Sequence, residues 1–249
     1  MASKKPISPA ADPTDKSREK ILRAALHEFS VHGLAGARTD TIAESANVNK
    51  ALLYYYFKNK ESLYAAAFEE VLNLVMQNTL AVLESKCSPG EQILRLALNH
   101  FDRILTQHEF QSLMQQEMVR FHHGKSSSIP MLASKAFTPL LKKIQNAVES
   151  GIRSGELCKI DWMQVMYSTY GSNVFYFMSA PMMRLSVPFE PFDPATIEFR
   201  RNACVKFLGN AIFVDRTHGA KLARRLLADM PMPPIDNPPV WRKFLEKKI

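Results

Sequence analysis

An all-α fold is what this sequence predicts, on three observations. Apolar residues recur at three- and four-residue steps along most of the 249 residues, no run alternates with period two, and Pro, Gly and Ser clusters cut the pattern into segments of helical length. With 46% hydrophobic and 22% charged residues, the chain has the composition of a globular protein of one large or two modest domains.

Residues 1–14 are rich in Pro, Ser, Ala and Lys and have no apolar core, which predicts a disordered arm and not a signal peptide. A first helix carries Ile21, Leu22, Ala25 and Phe29 and is closed by Gly33. A short second helix follows, with Ile42, Ala43 and Ala46 on one face. Asn47 is then expected in the left-handed conformation that a tight turn requires, with Val48 as an apolar plug. Asn49 is an N-cap for a third helix. Within it Leu53 and Phe57, four apart, point inward and leave Lys50, Ala51, Leu52, Tyr54 and Tyr55 outward. Such a layout is a helix-turn-helix, whose second helix fits a DNA major groove.

A long helix opens at Asn59 and carries Leu63, Ala67, Val71 and Leu74 toward Leu83, stopping near Ser88-Pro89-Gly90. Further helices are predicted from Glu91 to Leu105, from about Glu109 to Phe121, and over roughly 131–153. The last of these is kinked or restarted at Pro139. Two more fall near 161–180 and 193–217, separated by the proline-rich stretch 181–194, and a short one spans 220–230 before a Pro-rich basic tail, 231–249. Trp162–Met183 contains no charged residue, yet Gln164, Ser168, Thr169, Ser172 and Asn173 make it a buried helix rather than a membrane span.

Lys and Arg number 32 against 24 Asp and Glu, a net charge of +8 that suits a polyanionic partner. Within residues 1–60 ten bases face six acids, so half of the excess lies in that first quarter. Cys87, Cys158 and Cys204 are odd in number and far apart, which suggests neither a disulfide framework nor a zinc site. His122 and His123 share a Gly-Ser loop with no further ligand at metal spacing, so no metal or cofactor is expected. No GxSxG, HExxH, P-loop or dinucleotide fingerprint occurs, and no catalytic residue is expected.

The stretch Ile42-Ala43, Ala46-Asn47-Val48-Asn49-Lys50, Leu53-Tyr54-Tyr55-Tyr56-Phe57 and Lys60-Glu61-Ser62-Leu63, with the preceding helix 21–29, resembles the DNA-binding domain of the TetR family of bacterial transcription regulators. The family usually has Gly at the place of Asn47 and Thr or Ser near Arg38, so Thr39 or Asp40 is expected to take over capping of the second helix. The resemblance implies four units: arm 1–14, DNA-binding domain 15–60, ligand-binding and dimerisation domain 61–230, and tail 231–249. It implies a cytoplasmic homodimer, a near-palindromic double-stranded operator, a small-molecule effector and no membrane partner.

Repression relieved by the effector is the expected mode, with activation or effector-independent binding as the alternative and a helical enzyme with an appended helix-turn-helix as the remote one. For DNA, Lys50 is expected to reach a guanine edge or a phosphate, Ala51 and Leu52 to pack on thymine methyls, and Thr39, Asn49, Tyr54, Tyr55 and Lys60 to position the backbone. The flexible thioethers and aromatic walls of Phe110, Met114, Met118, Phe121, Trp162, Met166, Tyr170, Asn173 and Phe177 suggest a pocket for an apolar or flat aromatic effector, although such stripes are more often plain core. The dimer stripe is expected at Phe199, Ala203, Phe207, Asn210 and Val214, at three- and four-residue steps on the last large helix, with the subunit's own core as the alternative direction for the same stripe.

Overall fold

A computed structural model describes residues 13–125, 128–188 and 190–234. Secondary structure among them is entirely helical, apart from one isolated antiparallel bridge between Leu157 and Phe213. The 1–14 arm lies outside the described residues except for the start of the first helix, and the 231–249 tail is described only to 234.

Helix α1 (Pro13–Gly36), α2 (Thr39–Ser45) and α3 (Lys50–Tyr56) form the N-terminal unit. They close over Ile21, Ala25, Phe29, Ile42, Leu53 and Phe57, all buried. Gly33 sits inside α1 at φ 67°, a left-handed residue that breaks the helical path where the sequence led us to expect its end. The 24-residue α4 (Lys60–Leu83) is capped by Asn59, whose side chain accepts from the Ser62 N–H. It spans about 36 Å at 1.5 Å per residue and packs on both α1 and part of the C-terminal helical unit.

α5 (Pro89–Thr106) is the central helix of that second unit. Ile93, Leu94, Leu96, Ala97, Leu98, Phe101, Ile104 and Leu105 are buried on nearly every side of it, because α4, α6 (His108–His122), α8 (Thr138–Arg153) and the last helices all lean on it. It starts two residues before the expected Glu91, since Ser88 caps it and Pro89 fits the first turn, where no N–H is needed. The stretch expected as one kinked helix is α7 (Ser128–Leu132), a π-helical turn (Ala133–Phe137) and then α8, which restarts around Pro139.

A second π-helical turn, Tyr167–Gly171, joins α9 (Trp162–Met166) to α10 (Ser172–Ser186). Contrary to expectation the helix does not end at Pro181. The ring costs one backbone hydrogen bond, while Phe177 and Ala180 stay buried and hold the turn on the core. No helix among the described residues is long and apolar enough to cross a membrane.

α11 (Pro194–Ala211) also ends earlier than expected, and α12 (Arg216–Asp229) starts on a new N-cap, Asp215. The break is imposed from outside. The Cys158 N–H donates to Ile212 O at 2.8 Å and the Val214 N–H to Glu156 O at 3.1 Å, tying 212–214 to the turn after α8. Val214 therefore lies beyond the helix that was expected to carry it.

α11 and α12 approach through two glycines. A Cβ on Gly219 would fall 2.0 Å from the Gly209 carbonyl oxygen and 2.7 Å from the Phe213 ring. Backbone cannot move aside as a flexible side chain can. Gly219→Ala is expected to lower stability by about 1–3 kcal/mol, the usual cost of overpacking, read as a shifted urea midpoint. An unshifted midpoint would show that the two helices separate freely.

Candidate DNA-binding surface and regulatory helices

The turn between α2 and α3 is built as its residues demand. Asn47 adopts φ 54°, alone among the described non-glycine residues in that region. The Val48 N–H then reaches Ala43 O at 3.0 Å, and Asn49 Oδ1 accepts from the Leu52 N–H at 2.7 Å, capping α3. Leu53 and Phe57 are buried. Lys50, Ala51, Tyr54 and Tyr55 are exposed, the last at 79%, while Leu52 is half-buried. Two exposed tyrosines on a seven-residue helix lie outside the subunit's own core.

Capping of α2 is not by Thr39 or Asp40. Its N-cap is Arg38, which makes no side-chain cap; instead the Arg38 N–H donates to Glu28 Oε1 at 3.0 Å. Both residues expected to cap are turned toward α3. Thr39 Oγ1 lies 3.2 Å from Tyr54 Oη, and Asp40 Oδ1 lies 2.8 Å from Lys50 Nζ. The hydrogen bond from Lys50 holds the Asp40 carboxyl below its ordinary value and raises the ammonium in return. Both groups are solvent-exposed, so the pair is readily exchanged for a partner on DNA. The pairing of Asp40 with Lys50 was not legible in the sequence, because it depends on how two helices cross.

Lys60 is placed differently from the expectation that it is a free phosphate donor. Its Nζ donates to Ala35 O and Ala37 O, at 3.1 and 3.2 Å. Those carbonyls lie around the end of α1, where a cation offsets unpaired acceptors. Basic side chains that remain open line α1. Lys16, Lys20 and Arg23 border a groove of about 620 Å³ that reaches Ser45–Asn47 at the end of α2.

The nine residues expected to line an effector pocket have different surroundings among the described residues. Phe110 is in the core, its ring 6.4 Å from Phe68. Met114 is half-buried, and Met118 and Phe121 stand exposed farther along α6. Trp162 and Met166 are half-buried on α9. Tyr170 and Asn173 belong to a polar cluster instead. The Tyr170 ring lies 4.0 Å from the His100 ring, Asn173 Nδ2 is 3.4 Å from His100 Nδ1, and the Cys204 thiol donates to Asn173 Oδ1 at 3.2 Å. Burial keeps His100 well below its usual value and pushes the Tyr170 phenol up to about 12, so both stay neutral at physiological pH. Phe177 packs with Phe101, Ile104, Leu105 and Ile197 in a separate apolar cluster.

The stripe on α11 does face outward. Phe199 is 75% and Phe207 67% exposed, Asn210 is exposed and Ala203 half-buried. Val214 is exposed too, though from the loop. The preceding segment carries a longer stripe. Met163, Tyr167, Phe175, Met178, Met182 and Leu185 are all exposed, with Phe175 at 68%. Large apolar side chains repeated on two neighbouring helices exceed the scattered exposure normal for a surface.

A third feature joins the two units. Ser112 Oγ and Gln116 Nε2 of α6 both donate to Ser30 O of α1, at 2.7 and 3.1 Å, and His27 Nδ1 meets Glu109 Oε1 at 2.8 Å. α1 is thus fastened along α6 as well as α4.

A capped helix-turn-helix with a solvated second helix, carried on a separate helical body, defines the class of DNA-binding transcription regulators. Comparison with known proteins gives the family. Residues 21–67 match bacterial regulatory proteins of the tetR family, and residues 89–208 match the tetracyclin repressor-like C-terminal domain. The chain is 30% identical over 171 residues to the regulator RutR of Escherichia coli K12, covering 67% of this chain and 76% of that one. It is 26% identical over 150 residues to the repressor NicS of Pseudomonas putida, covering 59% and 71%. A transcriptional regulator from Saccharomonospora viridis, crystallised with choline, shares the fold with a TM-score of 0.64 at 16% identity, over 80% of this chain and 98% of that one. The chain belongs to the TetR family, with its N-terminal helix-turn-helix domain and C-terminal ligand-binding helical domain.

Proposed function

We propose that the protein is a homodimeric repressor that holds a near-palindromic operator and releases it when a small, mainly apolar or aromatic effector binds. The observation that carries this reading is α3: Leu53 and Phe57 anchor it while Lys50, Ala51, Tyr54 and Tyr55 are exposed on its outer side. Lys50 at the first turn reaches guanine N7 or O6, and Ala51 and Leu52 pack on thymine methyls. Asn49 orients α3 through its cap, and Tyr54, Tyr55 and Thr39 hold phosphates, which fix register more than sequence. Two-fold pairing through the stripes of α10 and α11, including Phe199, Ala203, Phe207, Asn210 and Val214, sets the spacing between the recognition helices. This role is regulatory and not enzymatic, and its place of action is the bacterial cytoplasm.

Binding to a duplex selected by the protein from a random pool tests the reading. Affinity is expected to fall linearly on a log-log plot against salt, with a slope of about −0.9 per phosphate neutralised; a flat response removes it. Lys50→Ala should cost about 1–3 kcal/mol at one base pair of each half-site. Lys60→Ala should weaken all sequences alike and also lower the urea midpoint, because Ala35 O and Ala37 O lose their donor. Equal discrimination profiles for the two variants would contradict the assignment of Lys50 as the base reader.

A further inference from the structure

A groove of about 400 Å³ lies at the junction of α1, α5, α6 and α10, a size ordinary for a small-molecule site. One side is apolar, made by Val31, Ile104, Phe177 and Pro181, and the other is polar, with Ser112 and Gln116 among its residues. None of its lining residues is Asp, Glu, Lys or Arg. Its one titratable group, His108, is held below its usual value by burial, against the pull of Glu109 and with the help of His27. The Gln116 amide is oriented by its bond to Ser30 O, which leaves Oε1 buried and without a donor.

We infer that this groove is the effector's seat, taking a small uncharged planar molecule that lays an apolar face on Ile104, Phe177 and Pro181 and meets the polar side chains of Gln111, Ser112 and Gln116. The inference rests on the reading of the chain as a DNA-binding regulator and moves its effector away from the residues that the sequence pointed to, Phe177 excepted. The absence of charge along the walls disfavours an ion, which would lose its hydration with nothing in return. The consequence for DNA is direct. Ser112 and Gln116 are the residues that grip α1 at Ser30, so an occupant that draws on Gln116 and wedges α10 from α1 favours a different setting of α1, and with it of α2 and α3. It needs only to bind that setting more tightly.

A tethered probe tests this without knowing the natural ligand. Gln115→Cys places a thiol on the groove's exposed edge, in a chain whose Cys87 and Cys158 are serine; Cys204 is buried and stays. Alkylation with N-benzylmaleimide, a neutral aromatic, is expected to lower affinity for the selected duplex at least tenfold. The same label on exposed Lys221→Cys of α12, and on the parent chain, should change nothing. Gln111→Trp, which fills the groove without chemistry, should mimic the labelled protein while melting at the parent's temperature. Unchanged DNA binding after labelling at 115, or an equal loss at 221, overturns the groove as the effector's seat while the regulator reading survives. Failure of the unlabelled chain to select any duplex sinks both.

Discussion

A Phe207→Glu chain is expected to remain folded and helical, to sediment as a monomer, and to lose affinity for a palindromic duplex on the order of 100-fold or more. Phe207 is 67% exposed in the subunit, so a carboxylate there disturbs no intrachain packing. Across a two-fold axis the same carboxylate would be buried, unpaired and close to its own copy. The loss in DNA affinity follows from losing the second half-site, whose contribution to avidity is typically 10²- to 10⁴-fold. Sedimentation and circular dichroism measured on one sample separate the possibilities. A folded dimer would move the interface off α11, and an unfolded chain would be at odds with the exposure of this ring.

The second large effect lies inside the subunit. Arg201 is fully buried on α11 and grips Asp102 of α5 with two bonds, Nε to Oδ1 at 2.6 Å and Nη2 to Oδ2 at 2.8 Å, while Nη2 also donates to Met230 O past the end of α12. The pair ties three helices together. Asp102→Ala should cost about 3–5 kcal/mol in urea unfolding, since it strands a guanidinium that has no route to water. Arg201→Ala should cost less, because the Asp102 side chain is 19% exposed and can rehydrate. Burial pushes the Asp102 carboxyl up even with Arg201 on it, so desolvation weighs more than the attraction. Asp102→Leu combined with Arg201→Met is therefore expected to be close to neutral or better. A double variant as unstable as Asp102→Ala would mean that charge itself, and not its stranding, holds these helices.

Most of the helix-turn-helix was legible in the sequence, and for a local reason. Asn47, Asn49 and Asn59 act on backbone groups no more than three or four residues away, and Leu53 with Phe57 selects the buried side of α3 by spacing alone. The outward stripe on α11 was legible by the same periodicity, though its direction was not. Residues on an exposed stripe and on a core stripe repeat alike. The expected pocket shows the limit most clearly. Its Met and aromatic residues have the composition of a cavity lining, but they are distributed among a core stack, a polar cluster and open surface.

By itself, then, the sequence determined the helical class, the turn at Asn47 with the helix starts at Asn49 and Asn59, the recognition helix and the family, since each of these is written in contacts of short range or in a motif of fixed spacing. Only the tertiary structure decided that Lys60 closes α1, that Asp40 holds Lys50, that Val214 leaves its helix, and that Ser112 and Gln116 of α6 grip Ser30 of α1. Those partners are 10 to 86 positions apart. Which of them meet depends on the crossing of helices, and that is set by the packing of the whole core and not by any one segment of it.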